Sequence, residues 1–434
     1  MGRNRVIYQS EALYVSKNID STGSGEHYQL TRVQSANYNF DITRQDVNQF
    51  GQLARIDALV LQSPTVSLDF SYYPTDGSNE KALGFFVQGV TQHIFTGTGA
   101  GGLAAGATGV FTGTSLQNSV APNQTYGFSG KRSSSEANFA SGQMGASSGQ
   151  NFYIVTSEEG SDINTLTANA GYKLSGKSVI SIGNGFLSNY TFNAAVGQLP
   201  TASVTIEGLN MRSSTIVPVT GQPVTSTYTG NLALSPSINP ESGTIKNLTG
   251  WLLDPIEATG GAYISALRPG DITLGFTSYE GQTSSPISKL VGDGGINVQN
   301  ASLTLPLSRT PIERLGSKFA FARVVDFPIV ATLNVSAIVS DSTAKNLTAM
   351  LDDNTKRTIT LSINKPDGSG TKALEFSFKG SQLKSESFSS SIGANKTVDL
   401  VFETQVGGPS DVNNGIYLSG IHEFGVNNLN NWGF

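Results

Sequence analysis

Apolar and polar residues alternate along four stretches of this chain, and the four fall into two matching pairs. Residues 36–43 (Ala-Asn-Tyr-Asn-Phe-Asp-Ile-Thr) and 66–73 (Val-Ser-Leu-Asp-Phe-Ser-Tyr-Tyr) form the first pair. Residues 301–308 (Ala-Ser-Leu-Thr-Leu-Pro-Leu-Ser) and 331–338 (Ala-Thr-Leu-Asn-Val-Ser-Ala-Ile) form the second. A period of two puts every apolar side chain on one face of an extended segment, so each stretch predicts a half-buried β-strand. The pairs belong to a longer repeat. Val33, Gln34, Ala36, Arg44 and Gly51 return 265 positions on as Val298, Gln299, Ala301, Arg309 and Gly316, and Leu68, Ser71 and Asp76 return as Leu333, Ser336 and Asp341. Phe192, Gly197, Thr201 and Glu207 return 196 positions on as Phe388, Gly393, Thr397 and Glu403. One fold written twice in the same order predicts quasi-equivalent surfaces, the usual makings of an array or a ring.

Around these strands the same reading places further elements. Residues 44–62 and 309–328 are too long for tight hairpins and are expected to be extended arms. Pro306 cannot donate to a ladder, which predicts an edge position or a bulge for its strand. Residues 79–87 and 343–352 each suit one short flanking helix. Strands are expected at 152–157 with 358–363, at 191–196 with 387–392, and at 202–207 with 398–403. The offset falls from 265 to 196, so the first copy holds a net insertion of 69 residues. The Gly/Ala/Ser/Thr-rich tract 97–150 is the candidate, expected as a surface loop with at most a small hairpin, at the periphery of the unit. Residues 214–266, punctuated by Pro218, Pro223, Pro236, Pro240 and Pro255, read as a linker or small interposed unit. The expected organisation is all-β: a first domain over 1–213 with the insertion at about 88–150, the 214–266 region, and a second domain over 267–434. Each domain is a β-sandwich or partial barrel with one short helix.

Composition adds mainly exclusions. Charged residues are 14% of the chain and the formal net charge is −5, which lacks the basic stripe that gripping nucleic acid requires. There is no cysteine, so no disulfide, thiol nucleophile or thiolate metal site can form. The N-terminus has no apolar signal core, and no stretch reaches the length of a membrane helix. The motif Gly97-Thr-Gly-Ala-Gly-Gly102 matches a dinucleotide fingerprint in spacing, but no helix start or acidic partner follows, and it reads as a flexible loop. His27, His93 and His422 are isolated from other candidate ligands, and the acidic pairs Glu158-Glu159 and Asp352-Asp353 sit beside expected turns. No catalytic, cofactor or metal site is expected.

The segments Arg44-Gln-Asp-Val-Asn-Gln-Phe-Gly-Gln, Pro64-Thr-Val-Ser-Leu-Asp-Phe-Ser-Tyr-Tyr, Leu199-Pro-Thr-Ala-Ser-Val-Thr-Ile-Glu-Gly-Leu-Asn-Met and Ile264-Ser-Ala-Leu-Arg-Pro-Gly-Asp-Ile-Thr-Leu resemble the major tail tube proteins of tailed bacteriophages, in particular the type with two tube domains in one chain. The resemblance covers both copies and excludes 97–150. It implies a structural, non-enzymatic virion protein: three chains form a pseudo-hexameric ring, and rings stack into a hollow tail tube that conducts DNA during ejection. Implied partners are further copies of the chain, a tape-measure protein, the tail terminator, baseplate or tip proteins, a sheath in contractile tails, and DNA passing without sequence recognition, with no membrane. The implied location is the virion tail, assembled in the host cytoplasm. Arg44, Val47, Phe50 and Arg55, with Arg309, Ile312 and Leu315, are then the expected inter-subunit or inter-ring arm residues, and the apolar ones are expected to make axial contacts. The four alternating strands carry no lysine or arginine. Their polar residues, among them Asn39, Asp41, Asp69, Ser71, Thr304 and Asn334, are expected to line the lumen. Asp41 and Asp69 are its expected carboxylates, with Pro306 and Asn334 at the equivalent positions of the second copy. Tandem sandwiches would also suit a receptor-binding or adhesive surface protein; rings or tubes in negative stain, against monomers or fibres, separate the two.

Overall fold

The alternation is realised as strands throughout. A computed structural model describes residues 11–17, 27–60, 65–89, 93–96, 108–111, 138–144, 149–156, 178–215, 217–218, 228–231, 248–251, 266–278, 296–315, 320, 322–339, 356–366, 372–390, 395–408, 411 and 413–420. Nine strands make up the repeat in the first copy: β1 (Glu11–Lys17), β2 (Val33–Asp41), β3 (Arg44–Val47), β4 (Asp57–Val60), β5 (Thr65–Tyr72), β6 (Gln150–Thr156), β7 (Ser178–Ala195), β8 (Thr201–Gly208) and β9 (Asn210–Thr215). The second copy supplies β10 (Ile272–Ser278), β11 (Ile296–Pro306), β12 (Arg309–Ile312), β13 (Ala322–Val325), β14 (Val330–Val339), β15 (Arg357–Asn364), β16 (Lys372–Ser389), β17 (Thr397–Gln405) and β18 (Gly415–Gly420). The fold is all-β, and each strand has its counterpart nine places on.

The equivalence holds register for register. Asn37 lies opposite Asp69 in β2·β5, and Ser302 opposite Asn334 in β11·β14. Thr205 faces Asp69 across β8·β5 as Val401 faces Asn334 across β17·β14. Even the bulges recur, at Val33/Ser35 and Val298/Asn300, and at Leu187/Asn189 and Leu383/Ser385. Such irregularities reproduced at both offsets mark a duplicated backbone and not a chance likeness of pattern.

Each copy is a sandwich whose two layers share one long strand. The first halves of β7 and β16, 18 residues each, pair in the short sheets β1-β6-β7-β9 and β10-β15-β16-β18. Their second halves pair in the other layer, so the strands expected at 191–196 and 387–392 are the ends of much longer ones. The crossing occurs at a left-handed residue in both copies, Asn184 (φ 48) and Gly380 (φ 64), a conformation that Asn tolerates and Gly adopts freely. The other layer is continuous through both copies: β2-β5-β8-β7-β11-β14-β17-β16, eight antiparallel strands joined in the middle by β7·β11. Its inner face (Leu68, Phe70, Tyr190, Phe192, Leu303, Leu305, Leu333, Phe402) packs on the short sheets in one hydrophobic core. Phe192 of the first copy meets Phe376 of the second at 4.8 Å between ring centroids.

Several expectations are revised. Of the two placements expected for the Pro306 strand, the edge is not realised and the bulge is: β11 is an interior strand of the eight with a bulge at Val298/Asn300, and Pro306 is tolerated as its terminal residue, beyond the last β14 pair at Thr304 and Thr332. The arms are β-hairpins, β3·β4 and β12·β13, because Arg44 to Val47 and Arg309 to Ile312 find antiparallel partners across a long tip. The insertion is divided. The copies are offset by 265 at β5, 207 at β6 and 196 from β7 onward, so 58 of the extra residues precede β6 and 11 follow it. Nor is the tract to Gln150 all peripheral: His93–Thr96 and Thr108–Phe111 form the small hairpin, whereas Phe139 is fully buried and stacks on Phe85 at 4.0 Å. The helix expected at 79–87 is the short α1 (Ser78–Ala82). That expected at 343–352, and most of 97–137 and 214–266, lie outside the described residues.

Candidate assembly interface

The long sheet begins at β2 and ends at the second half of β16, and among the described residues neither has a partner on its outer side. These two edges are the quasi-equivalents of the strands that meet inside the chain: β2 corresponds to β11, and β16 to β7. At the internal junction Tyr190 lies opposite Leu305 and Phe192 opposite Leu303, all buried. At the free edges the counterparts of Leu305 and Phe192 are Phe40 and Phe388, which are 57% and 54% exposed. The same apolar positions are therefore covered once per chain and uncovered once. Transferring the internal register to a second copy sets Phe388 opposite Tyr38, Ser387 opposite Asn39, Glu386 opposite Phe40 and Ser385 opposite Asp41. Two positions change character: Glu386 stands where Tyr190 does, and Asp41 where Pro306 does.

No protein-family model matches this chain, and no curated protein matches it.

The outer face of the long sheet is mainly polar, with Val401 opposite Asn334 among its few apolar positions. Asn39, Asp41, Asp69 and Asn334 are exposed, Ser71 and Thr304 half-buried, and all lie on this one face. Cross-strand hydrogen bonds hold it: Thr205 donates to Asp69 at 2.7 Å, Ser302 donates to Asn193 at 2.5 Å, and the Ser35 and Ser71 hydroxyls pair at 2.7 Å. The structure adds two carboxylates that pattern alone left without a role, Glu207 and Glu403, at equivalent ends of β8 and β17. Their recurrence in the repeat was the available signal.

The two arms sit differently. In the second copy the base of the β12–β13 hairpin lies on the first copy of the same chain. The Arg309 guanidinium stands 4.8 Å over the Phe186 ring and donates to the Gln143 carbonyl, while Arg323 donates to Glu207 at 2.8 Å. Burial, then the neighbouring Arg323, pull the Arg309 pKa down to about 10, against the opposing pull of Glu207. Arg309, expected as an inter-subunit residue, is thus a contact between the copies, because β7·β11 brings the hairpin base over β7 and β8. Ile312 is partly exposed and Leu315 fully so, towards the tip. Among the described residues the equivalent β3–β4 hairpin has nothing beneath it: Arg44, Val47 and Phe50 are exposed, and Arg55 pairs with Asp46 of the same hairpin, at 2.8 Å.

The Arg309–Arg323–Glu207 cluster carries a stability prediction. Glu207→Ala leaves two cations packed together with their carboxylate gone, and is expected to cost about 1–3 kcal/mol, the lower part of the range for a broken buried pair because the Glu207 side chain is 38% exposed. Urea unfolding measures the loss. Hydrogen exchange is expected to quicken first in 309–325; unchanged stability would show the cluster to be ornamental.

Proposed function

We propose that this chain is a structural subunit that associates head to tail, β16 of one copy pairing with β2 of the next, into closed rings that stack into a hollow tube of the kind built by phage major tail tube proteins. The observation that carries the reading is the complementary pair of edges, each exposing the counterparts of residues that the chain buries against itself at β7·β11. A single heterologous contact between two complementary edges closes into a ring when the rotation per chain allows and otherwise runs on as a filament. Closure removes both open edges, which are otherwise a standing risk of uncontrolled pairing. Three chains of eight strands each would make a continuous barrel of twenty-four, with the polar face turned to the bore and the arm tips (Phe50, Leu53, Leu315) left to contact the next ring.

A bore mainly of Asn, Ser, Thr and Asp side chains, in which Lys384 is paired with Glu403 at 2.9 Å, suits DNA transit. Each lysine or arginine that meets a phosphate releases counterions and adds a salt-sensitive contact, so a cationic wall would hold the genome back. Asp69 and Asn334 are equivalent, exposed and away from the free edges. Replacing both with Lys is expected to leave tubes assembled and to slow DNA ejection, with the delay shrinking at high salt. Ejection at the normal rate from assembled double-Lys tails would remove the lumen assignment. The reading as a whole is tested by cryo-electron microscopy of assembled protein: trimeric rings with β16 beside β2 of the neighbour are expected, and monomers or rings joined through other strands would overturn it. Further copies, a tape-measure protein, a terminator, tip or baseplate proteins and DNA are the partners this role implies, in the virion tail.

A further inference from the structure

We propose that the open pocket beside Glu403 is the socket for the β3–β4 hairpin of a second copy of this chain, with Arg44 the side chain that enters it. The inference rests on the head-to-tail association above and assigns its side-chain contact. The pocket, about 440 Å³, is lined by Gln382, Glu403, Asp411 and Lys356 among others. Gln382 and Glu403 are the counterparts of Phe186 and Glu207, the residues on which the β12–β13 hairpin rests in the first copy. The counterpart of Arg309 is Arg44, in the same register at the base of its hairpin: Arg44 pairs with Val60 as Arg309 pairs with Val325. The pocket is therefore the place that the chain fills with its own arm in one copy and that the described residues leave open in the other.

A compensating exchange of residues supports the fit. In the first copy Glu207 has two cations near it, both from the arm, Arg309 and Arg323, and the sheet offers Ser188 at the bulge. Around Glu403 of the second copy the arm would come from the first, where Arg323's counterpart is Ala58, while on the sheet Ser188's counterpart is Lys384, which pairs with Glu403 at 2.9 Å. The second cation has moved from the arm to the sheet. One position around Glu403 is left for an arginine from the arm, and Arg44 is the residue the repeat puts there. Asp411 stays ionised beside it, its pKa held down by hydrogen bonds from the Asn414 side chain and the Asn413 backbone, and it balances Lys356 on the other wall. The hairpin of the second copy already shows the direction of approach, sideways across the long sheet; the axial role expected for the arms is left to their tips.

The chain has no cysteine, which makes a direct test clean. Arg44→Cys with Gln382→Cys, assembled and treated with a short bis-maleimide, is expected to give covalent oligomers. Gln382 lies in β16, one edge strand of the eight-stranded sheet, and Arg44 begins the hairpin that follows β2, the strand at the opposite edge, so a bridge between them must join two chains. Assembled material without cross-links overturns the socket. Charge reversal gives an independent measure: Arg44→Glu alone, and Glu403→Arg alone, are expected to weaken association about tenfold or more, and the double variant to recover most of it. Singles without effect, or a double that recovers nothing, overturn the Arg44–Glu403 pairing. Phe40→Asp with Phe388→Asp tells this failure apart from failure of the head-to-tail reading. If those edge variants abolish assembly while the reversals do nothing, the edges stand and the socket falls; if the edge variants assemble normally, the head-to-tail reading falls with it.

Discussion

Replacing Phe40 and Phe388 with Asp is expected to yield a folded chain that no longer forms rings or tubes. Both side chains are more than half exposed in the single chain, so the substitutions remove little of the core. In the assembly each would lie where Leu305 and Phe192 lie at β7·β11, fully enclosed. A carboxylate there must be desolvated without a partner, at a cost of several kcal/mol per interface. At about 1.4 kcal/mol per factor of ten, even about 3 kcal/mol weakens each contact about a hundredfold. A ring needs every contact, so the effect multiplies on closure. Sedimentation velocity and circular dichroism measure it together: monomers with an unchanged β spectrum are expected, and tubes from the double variant would exclude this edge as the interface.

Glu80→Gln is expected to raise stability above neutral pH and to flatten its pH dependence. Glu80 is wholly buried on α1, beneath the strand that forms the internal junction. One carboxyl oxygen accepts from Tyr72 at 2.8 Å and from Tyr190 at 3.2 Å, and the other has no hydrogen-bond partner among the described residues. Burial raises its pKa from 4.5 to about 7, with nearby Asp76 adding to the rise and the tyrosine hydrogen bonds opposing it. A carboxyl whose folded pKa lies above its unfolded value binds more protons when folded. Its contribution is therefore fully present below about pH 4.5 and is lost as pH rises through about 7. At 1.36 kcal/mol per unit the loss amounts to about 3 kcal/mol. Gln keeps the shape and the acceptor oxygen but cannot ionise. In the Phe40→Asp, Phe388→Asp background, where assembly does not add to stability, urea unfolding is expected to find the two proteins equal near pH 4 and the Gln variant more stable near pH 8, by about 1–3 kcal/mol. A Gln variant as pH-sensitive as its parent would place the titration elsewhere.

The strands were legible because their cause is local. Alternation in 66–73 and 331–338 fixes which side chains face the core, and a slip of one residue would turn Leu68 and Leu333 to solvent. The duplication was legible for the same reason, since repeated backbone needs repeated apolar positions. The reach of β7 was hidden. Residues 178–185 pack between other strands and show little alternation, and the turn from one sheet to the other depends on a single left-handed residue, Asn184 or Gly380. Phe139 was read as loop because it sits among Gly, Ala and Ser, yet its burial is decided by Phe85 and Tyr190, far away in the chain. Among the site residues, the exposed polar positions from Asn39 to Asn334 could be read from alternation, whereas the burial of Arg309 could not, because its partners Phe186, Gln143 and Glu207 lie more than a hundred residues away.

The order of side chains along the chain is enough to make it all-β, to show one pattern twice, and to set which face of each strand is polar. These follow from side-chain chemistry at neighbouring positions. Packing between distant segments makes the two copies share one eight-stranded sheet, brings β7 and β11 together while β2 and β16 stay apart, and docks one arm while the other is bare among the described residues. Those outcomes depend on which distant edges find each other, and two identical patterns carry no local mark of which copy will be covered and which left open.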